Sequence, residues 1–339
     1  MRYTVFGAGA IGGTVGAHMV RGGESVLFVD RDVEHVRAMR ERGLTIRGFA
    51  ETFTVPAEAT TPDALPESLE TVLLAVKAPA TDDAVRSFAD RLPPDGCVVS
   101  LQNGLNELVI SRLVGEQRTV GAFVNFSADY LKPGLIHFGG PGTFVIGELD
   151  GTLSPRLQAL QRALGHWGNV QLTDNIWGYL WGKQAYGAML FATALTNDSM
   201  ADAIDAHREL MVSLAREVLR VAAALGRRPL GFDGFEPEAF ASSEPGVLSR
   251  SLDQLVAVRR RDQKTHTGVW RDLAVRKRRT EVDAHFQPIV AHAAELRLEV
   301  PLLRRMIAMI HKIENGQREM ATTNLDELAA AQRLPSARP

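Results

Sequence analysis

The chain has 339 residues, a net charge of −2, 45% hydrophobic and 23% charged residues, and a single cysteine, Cys97. That length carries two domains with a sizeable core, and the near-neutral balance excludes a global pull toward nucleic acid or an anionic membrane. One cysteine excludes an intrachain disulfide framework and a cysteine metal cluster, and it suits a reducing cytoplasm. The opening MRYTVFGAGA enters a strand-like run with no apolar stretch of signal-peptide length. The longest small and apolar run, Ala185 to Leu195, is too short to span a bilayer, so the reading is of a cytoplasmic protein.

In chain order, YTVFG, SVLFVD, TVLLAVK and GCVVSLQ are short apolar runs ending in Gly, Asp, Lys or Gln. Helical stretches at Val33–Gly43 and Asp82–Leu92 fall between them. This alternation predicts a parallel sheet covered on both faces. RTVGAFVNF, GLIHFGG and TFVIGELDG predict further strands, antiparallel ones, and SPRLQALQRALGHWG and NVQLTD add a helix and a strand. The first domain is read as residues 1–173. A second domain, 174–325, follows from helical periodicity alone. Its helices are LWGKQAYGAMLFATALTN from Leu180 to Asn197, MADAIDAHRELMVSLAREVLRVAAALG, TEVDAHFQPIVAHAAELRLE and PLLRRMIAMIHKIENGQRE. Arg227 to Pro245, rich in Gly, Pro and Phe, reads as a loop over the core, and 326–339 as a flexible tail.

The first strand runs into a glycine fingerprint, Gly7-Ala8-Gly9-Ala10-Ile11-Gly12, that opens a helix. In that context G-x-G-x-x-G predicts a dinucleotide site: Gly7 for the tight turn, Gly9 for the approach of the pyrophosphate, Gly12 for close helix–strand packing. The helix N-terminus offers amides and a positive dipole end to the phosphates. Asp30, ending the second strand, is placed to bind the ribose hydroxyls and favours NADH, while Arg31 beside it leaves NADPH open. Lys77 ends the third strand; Gln102, Asn103 and Gly104 end the fourth. Flanking the expected nicotinamide position, they suggest a polar grip on cofactor or substrate.

GAGAIG, a VKA strand end, a QNG strand end, and a helical half carrying W-x-K and TE-x-D resemble the ketopantoate reductase (2-dehydropantoate 2-reductase) family over roughly Met1 to Glu319. The resemblance implies an α/β fold, an N-terminal Rossmann domain plus an all-helical C-terminal domain like that of 6-phosphogluconate dehydrogenase. It also implies reduction of a 2-oxo acid by NAD(P)H. Lys183 matches the family's catalytic lysine and Glu281 its substrate-side glutamate; Lys77 and Asn103 match the lysine and asparagine of the Rossmann cleft.

That match accounts for a lone lysine on an apolar helix. Hydride reaching a ketone carbon leaves negative charge on oxygen, and an ammonium beside it lowers the barrier. Glu281 aims the lysine or holds a substrate hydroxyl, although TEVD also reads as a helix start capped by Thr280. The chain departs from the family where asparagines stand four and eight positions after the lysine: here they are Gly187 and Phe191. HTSSM is altered to HTGVW, from His266 to Trp270. A site stripped of such polar groups favours a more apolar substrate, with Asn125, Tyr186, Gly187, Phe191, His266 and Trp270 as candidate lining.

Two basic clusters, VRRRDQK and VRKRRTE, read first as solvated helix faces. The nine histidines show no metal-ligand spacing, so no metal is expected. The implied partner is a small 2-oxo acid or ketone, and the apolar helix Leu302–Ile313 leaves a homodimer open. The alternatives are 2-dehydropantoate reduction itself in pantothenate synthesis, or a cofactor-binding sensor that has lost catalysis.

Overall fold

In this computed structural model, which describes residues 2–242, 244, 246–261 and 264–331, the chain divides into two compact units, Met1–Ile176 and Trp177–Pro339. The first runs β1 (Arg2–Phe6), α1 (Ala10–Arg21), β2 (Ser25–Val29), α2 (Val33–Arg42), β3 (Leu44–Arg47), β4 (Thr52–Val55), β5 (Glu58–Thr60), β6 (Thr71–Leu74), α3 (Thr81–Phe88), β7 (Cys97–Ser100), α4 (Glu107–Val114), β8 (Thr119–Asn125), β9 (Ala128–Lys132), β10 (Leu135–Phe138), β11 (Thr143–Glu148), α5 (Pro155–Leu164) and β12 (Val170–Leu172). Among the described residues these make an eight-stranded sheet, β12-β11-β8-β7-β6-β1-β2-β5, and a four-stranded one, β4-β3-β10-β9.

Side-chain alternation explains why the large sheet is covered twice. Tyr3 and Val5 of β1 join a core with Val15, Met19, Leu157 and Leu160 of α1 and α5. Phe6, between the same strand's neighbours, joins Val72, Leu74, Val85, Phe88 and Ile110 on the opposite face. Each face alone buries a helix layer, so β1, β2, β6 and β7 are apolar at nearly every position. The small sheet lays Leu44, Ile46 and Ile136 onto the α1 side. It was not read from the sequence apart from β10: its strands are short, and Thr45, Arg47, Thr52 and Thr54 break the apolar runs. β8 and β11 pair antiparallel as expected, and β11–β12 are parallel.

The second unit runs α6 (Ile176–Thr193), α7 (Met200–Ala206), α8 (Arg208–Ala224), α9 (Pro237–Ala241), α10 (Val247–Arg261), α11 (Gly268–Ala274), α12 (Val282–Glu295), α13 (Pro301–Glu314) and α14 (Thr323–Ala331). Several expectations need correction. α6 begins four residues before Leu180 and ends at Thr193, so Lys183 lies two turns inside rather than near the start. The helix read from Met200 to Gly226 breaks at His207, whose φ of −123° and ψ of 40° leave the helical region. The loop from Arg227 holds α9. The tail read from 326 begins inside α14, where Leu325 and Leu328 are buried; residues 332–339 lie outside the described residues. The apolar positions of α13 face α8, α12 and α14 as core, so the Leu302–Ile313 stripe is not an exposed interface. Glu281 holds the N-cap position of α12 without a side-chain cap bond, and Thr280 Oγ1, one residue earlier, accepts the Val282 amide at 3.3 Å; Thr280 also donates from its amide and its Oγ1 to Glu314 Oε1, both at 2.7 Å.

Two buried acids lock this unit. Glu217 of α8 accepts the amides of Leu302 (3.0 Å) and Leu303 (2.8 Å) at the start of α13, while burial pushes its pKa up. Glu314 accepts from Thr280 on one side and meets His311 Nδ1 at 2.8 Å on the other; His311 Nε2 meets Asp283 Oδ1 at 2.9 Å. Burial works against the His311 imidazolium, but its bonds to Glu314 and Asp283 outweigh that and hold its pKa above the ordinary value. A raised folded-state value stabilises the fold fully below the unfolded histidine pKa of about 6.5 and is lost as pH rises through the folded value. The melting-temperature advantage of the parent over His311→Gln is therefore expected to be largest at about pH 6 and to shrink by about pH 9, as thermal melts across pH will read.

Candidate active site

β2, β1, β6, β7 and β8 are neighbours and run parallel, so their carboxyl ends share one edge. Along it, in that order, lie Asp30, the turn Gly7–Gly12, Lys77, Asn103 and Asn125. Four strand spacings make this row about 19 Å long. The chain order reverses direction at β1, which is where such sheets bind ligands.

At the centre of the row the backbone leaves no room for side chains. Gly7 has φ +100°, and a Cβ on it would lie 2.7 Å from the Val76 nitrogen. A Cβ on Gly12 would lie 2.2 Å from Gly7 O and 2.8 Å from Val5 Cγ1. Gly9 differs: a Cβ there would meet nothing within 4 Å among the described residues. Gly7 and Ala8 both donate their amides to Val29 O, at 2.8 and 3.2 Å, and α1 opens on Gly9, which has no side chain to cap its first amides. The cradle therefore fits a phosphate-bearing cofactor: crowding beneath it, space above Gly9, and a helix start facing outward.

Asp30 is half-buried and Arg31 exposed. Asp30 Oδ1 accepts the Asp32 amide at 3.0 Å, which fixes the carboxylate at the strand end. Lys77 and Asn103 are exposed, whereas Gln102, expected as part of the same polar grip, turns inward. Its Nε2 donates to Val76 O (2.8 Å) and Thr81 Oγ1 (2.7 Å), and Thr81 Oγ1 lies 3.1 Å from Asn106 Oδ1. Asn106 Nδ2 closes the chain by donating to Asn103 O at 2.6 Å. Gln102 thus clamps the segments carrying Lys77 and Asn103 rather than facing a ligand. Asn125, half-buried, ends β8 opposite Thr143.

In the helical unit, Tyr179, Lys183, Gly187 and Leu190 form one half-exposed stripe of α6, spaced as a helix face requires. Beside the stripe, Gln184 is buried and its Oε1 lies 3.2 Å from His285 Nδ1 of α12. His285 and Phe286 pack on Phe191, each with ring centres 4.9 Å away. A Cβ on Gly187 would meet Gln184 Oε1 and Phe286 Cζ only at 3.9 and 4.0 Å, so the glycine leaves a notch. His285 donates its amide to Glu281 O at 3.0 Å, one turn back. The Gln184–His285 contact sets the helix of Lys183 against the helix that Glu281 opens. The one signal that the sequence carries for His285 is its place four residues after Glu281.

Tyr186 and His266 belong elsewhere. Tyr186 is buried against Phe232 and Phe235, with the Arg259 guanidinium 6.0 Å from its ring. His266 stacks on Trp270 at 4.1 Å, and both reach Asn197, through His266 Nε2 to Asn197 O (3.2 Å) and Trp270 Nε1 to Asn197 Oδ1 (3.3 Å). Asn197 lies four residues past the end of α6 at Thr193. In the basic clusters Arg260 pairs with Asp205, and Arg276 and Arg278 share Asp272; residues 262 and 263 lie outside the described residues. Among the described residues no His, Cys, Asp and Glu group could hold a metal ion, and no helix is long and apolar enough to cross a membrane.

Two family models match: Ketopantoate reductase PanE/ApbA over residues 3–151 and Ketopantoate reductase PanE/ApbA C terminal over 175–314. The 2-dehydropantoate 2-reductase of Pyrococcus horikoshii is 28% identical over 319 residues, covering 93% of this chain and 98% of its own. That of Archaeoglobus fulgidus is 25% identical with the same coverage, 93% and 98%. A PanE/ApbA family ketopantoate reductase from Ralstonia eutropha shares the fold at a TM-score of 0.78 and 24% identity, over 94% of this chain and 100% of its own. D-mandelate dehydrogenase, in its ternary structure with NADH and anilino(oxo)acetate, shares it at 0.78 and 20%, over 94% and 99%. Fold and family models define an NAD(P)-dependent oxidoreductase of the kind that acts on CH–OH groups. Within that class, the chain belongs to the ketopantoate reductase PanE/ApbA family.

The glycines separate cofactor binding from folding. Gly9→Ala is expected to melt within about 2 °C of the parent yet bind NADH or NADPH at least about tenfold more weakly, because its methyl enters only the cofactor's space. Gly12→Ala should lose stability as well, by about 1–3 kcal/mol from overpacking. Melts paired with fluorescence titrations of the reduced cofactors check both.

Proposed function

We propose that this protein uses NAD(P)H to reduce a 2-oxo acid, or a related ketone, that carries more apolar bulk than ketopantoate. The observation that carries the reading is the α6 stripe, where Lys183 is followed four residues on by the notch at Gly187; beside it Phe191, eight residues on, is buried against His285 and Phe286. Polar amides at those positions would hydrogen-bond a substrate hydroxyl or carboxylate; a gap and an aromatic wall instead reward apolar volume.

When bound at the glycine turn, the reduced nicotinamide supplies a hydride to the carbonyl carbon. The protein's part is electrostatic and protonic. Lys183 donates a hydrogen bond, then a proton, from Nζ to the carbonyl oxygen as negative charge gathers there. Glu281 holds a polar group of the substrate or keeps the ammonium aimed. Lys77 and Asn103, at adjacent strand ends, grip the cofactor amide or the substrate carboxylate. Asp30 on the ribose favours NADH over NADPH, and the exposed Arg31 is the group through which a 2′-phosphate would be accepted.

Reduction of ketopantoate itself is the second reading, favoured by relatives named 2-dehydropantoate 2-reductase at 28% and 25% identity. A homodimer is the assembly we favour, since a dimeric ketopantoate reductase from Staphylococcus aureus shares the fold at a TM-score of 0.72. The single, buried cysteine supports a reducing, cytoplasmic setting.

Steady-state assays against 2-oxo acids of graded side-chain size decide between the two substrates. kcat/KM should rise with apolar bulk and be lowest for ketopantoate; ketopantoate as the best of the panel would overturn the proposal. Lys183→Met should lower kcat by about 10²–10⁴-fold and leave cofactor affinity within about twofold, the pattern of a lost proton donor. Intact turnover in that variant would remove Lys183 from the mechanism.

A further inference from the structure

We infer that His35, which is outside the glycine fingerprint, is a positioning residue for the cofactor: it holds the glycine turn in binding shape through its Nε2–H. The inference rests on the reading of Gly7–Gly12 as the NAD(P)H cradle. His35 sits in the first turn of α2 and is fully buried, at 0% exposure. Both ring nitrogens are used. Nε2 lies 2.9 Å from Ala8 O, within the turn, and Nδ1 lies 3.0 Å from the Gly134 nitrogen, between β9 and β10.

The partners fix the protonation state. A backbone amide can only donate and a carbonyl can only accept, so Nδ1 carries the lone pair and Nε2 the hydrogen. The imidazole is neutral, in a single tautomer, and oriented by two backbone groups. Its edge also faces Tyr130, with ring centres 5.0 Å apart, and the Tyr130 hydroxyl donates to Asp32 Oδ2 at 3.2 Å.

What His35 joins is specific to the cofactor site. Gly7 and Ala8 already donate to Val29 O, at the end of β2. His35 adds the opposite bond, from α2 to Ala8 O. The turn expected to meet the pyrophosphate is thus tied on both sides to the β2–α2 segment, which carries Asp30, expected on the ribose. Gly134 extends the frame: its amide reaches His35 and its carbonyl accepts the Thr45 amide at 2.9 Å, bringing in the small sheet. Ala8 is 27 residues from His35 and Gly134 is 99, so neither link is a local turn contact. A preorganised turn spares the ordering that binding otherwise costs.

Two substitutions divide the ring's tasks. Asn places its amide where Nδ1 stands and can still accept from Gly134, but falls short of Ala8. Gln reaches the Nε2 position and can still donate to Ala8. If the Ala8 arm positions the turn, His35→Asn raises the NADH and NADPH dissociation constants about tenfold or more. kcat at saturating cofactor stays within about threefold, since the reacting groups are untouched. His35→Gln recovers most of the affinity. A general packing role would instead weaken both variants alike and follow their melting temperatures. The inference falls if Asn binds the reduced cofactors within twofold of the parent, or if Gln loses as much as Asn. Should either variant be insoluble, hydrogen exchange on the parent serves: binding of NADH or NADPH must slow exchange in the peptides holding residues 7–13 and 134 together, and slowing confined to 7–13 overturns the inference. Failure of the parent to bind either cofactor would strike the functional reading itself, so the two failures are told apart.

Discussion

The large sheet's carboxyl edge is organised by one constraint: where β1, α1 and the end of β6 meet, positions 7 and 12 have no room for a side chain. A single methyl on Gly12 would stand 2.2 Å from Gly7 O, and one on Gly7 2.7 Å from the Val76 nitrogen. That closeness brings the first amides of α1 to the edge and sets Lys77, three residues after the end of β6 at Leu74, beside them. It also transmits position. The end of β6 is held by Gln102 from the end of β7, so a shift in the glycine turn would be felt at Asn103 through the Gln102–Thr81–Asn106 chain. Buried amides and hydroxyls serve well here, because each partner they lose costs about 1–3 kcal/mol and the arrangement therefore has few alternatives.

How much of this could be read in the sequence depends on the range of the interaction. Strands covered on both faces leave continuous apolar runs, so β1, β2, β6, β7, β8 and β11 were visible. The glycine turn was visible because its chemistry is local. The small sheet was mostly not: β3 and β4 alternate apolar with Thr and Arg over four residues each, too short for a period to declare itself. Arg-rich α10 looked like a charge run, although Leu252, Leu255 and Val256 form its buried side. His35 and His285 show the same limit at the level of function. Each makes sense only through a partner 27 to 101 residues away.

The lysine on α6 is legible in the sequence as an anomaly. A buried, unsolvated ammonium costs several kcal/mol, so an apolar helix tolerates one only on a wet face. α6 supplies that face as a stripe of Tyr179, Lys183, Gly187 and Leu190, while the rest of the helix is core. The stripe lies two turns inside the helix, so the lysine cannot fray away from the position that its neighbours set.

Phe191 is better understood as packed with α12 than as a lost polar group. Phe191 is buried because His285 and Phe286 close on it, and His285 is oriented because Gln184, next to Lys183, faces its Nδ1. An asparagine at 191 would leave an unfilled space beside two rings and bury an amide that needs a partner. The aromatic packing and the loss of the amide thus go together, and Gly187 takes no part in that packing beyond ordinary contact. Bulk can be added at 187 without disturbing the helix pair, whereas 191 is bound to the core. The volume above Gly187 is therefore the part of this face that a single substitution can fill independently of folding.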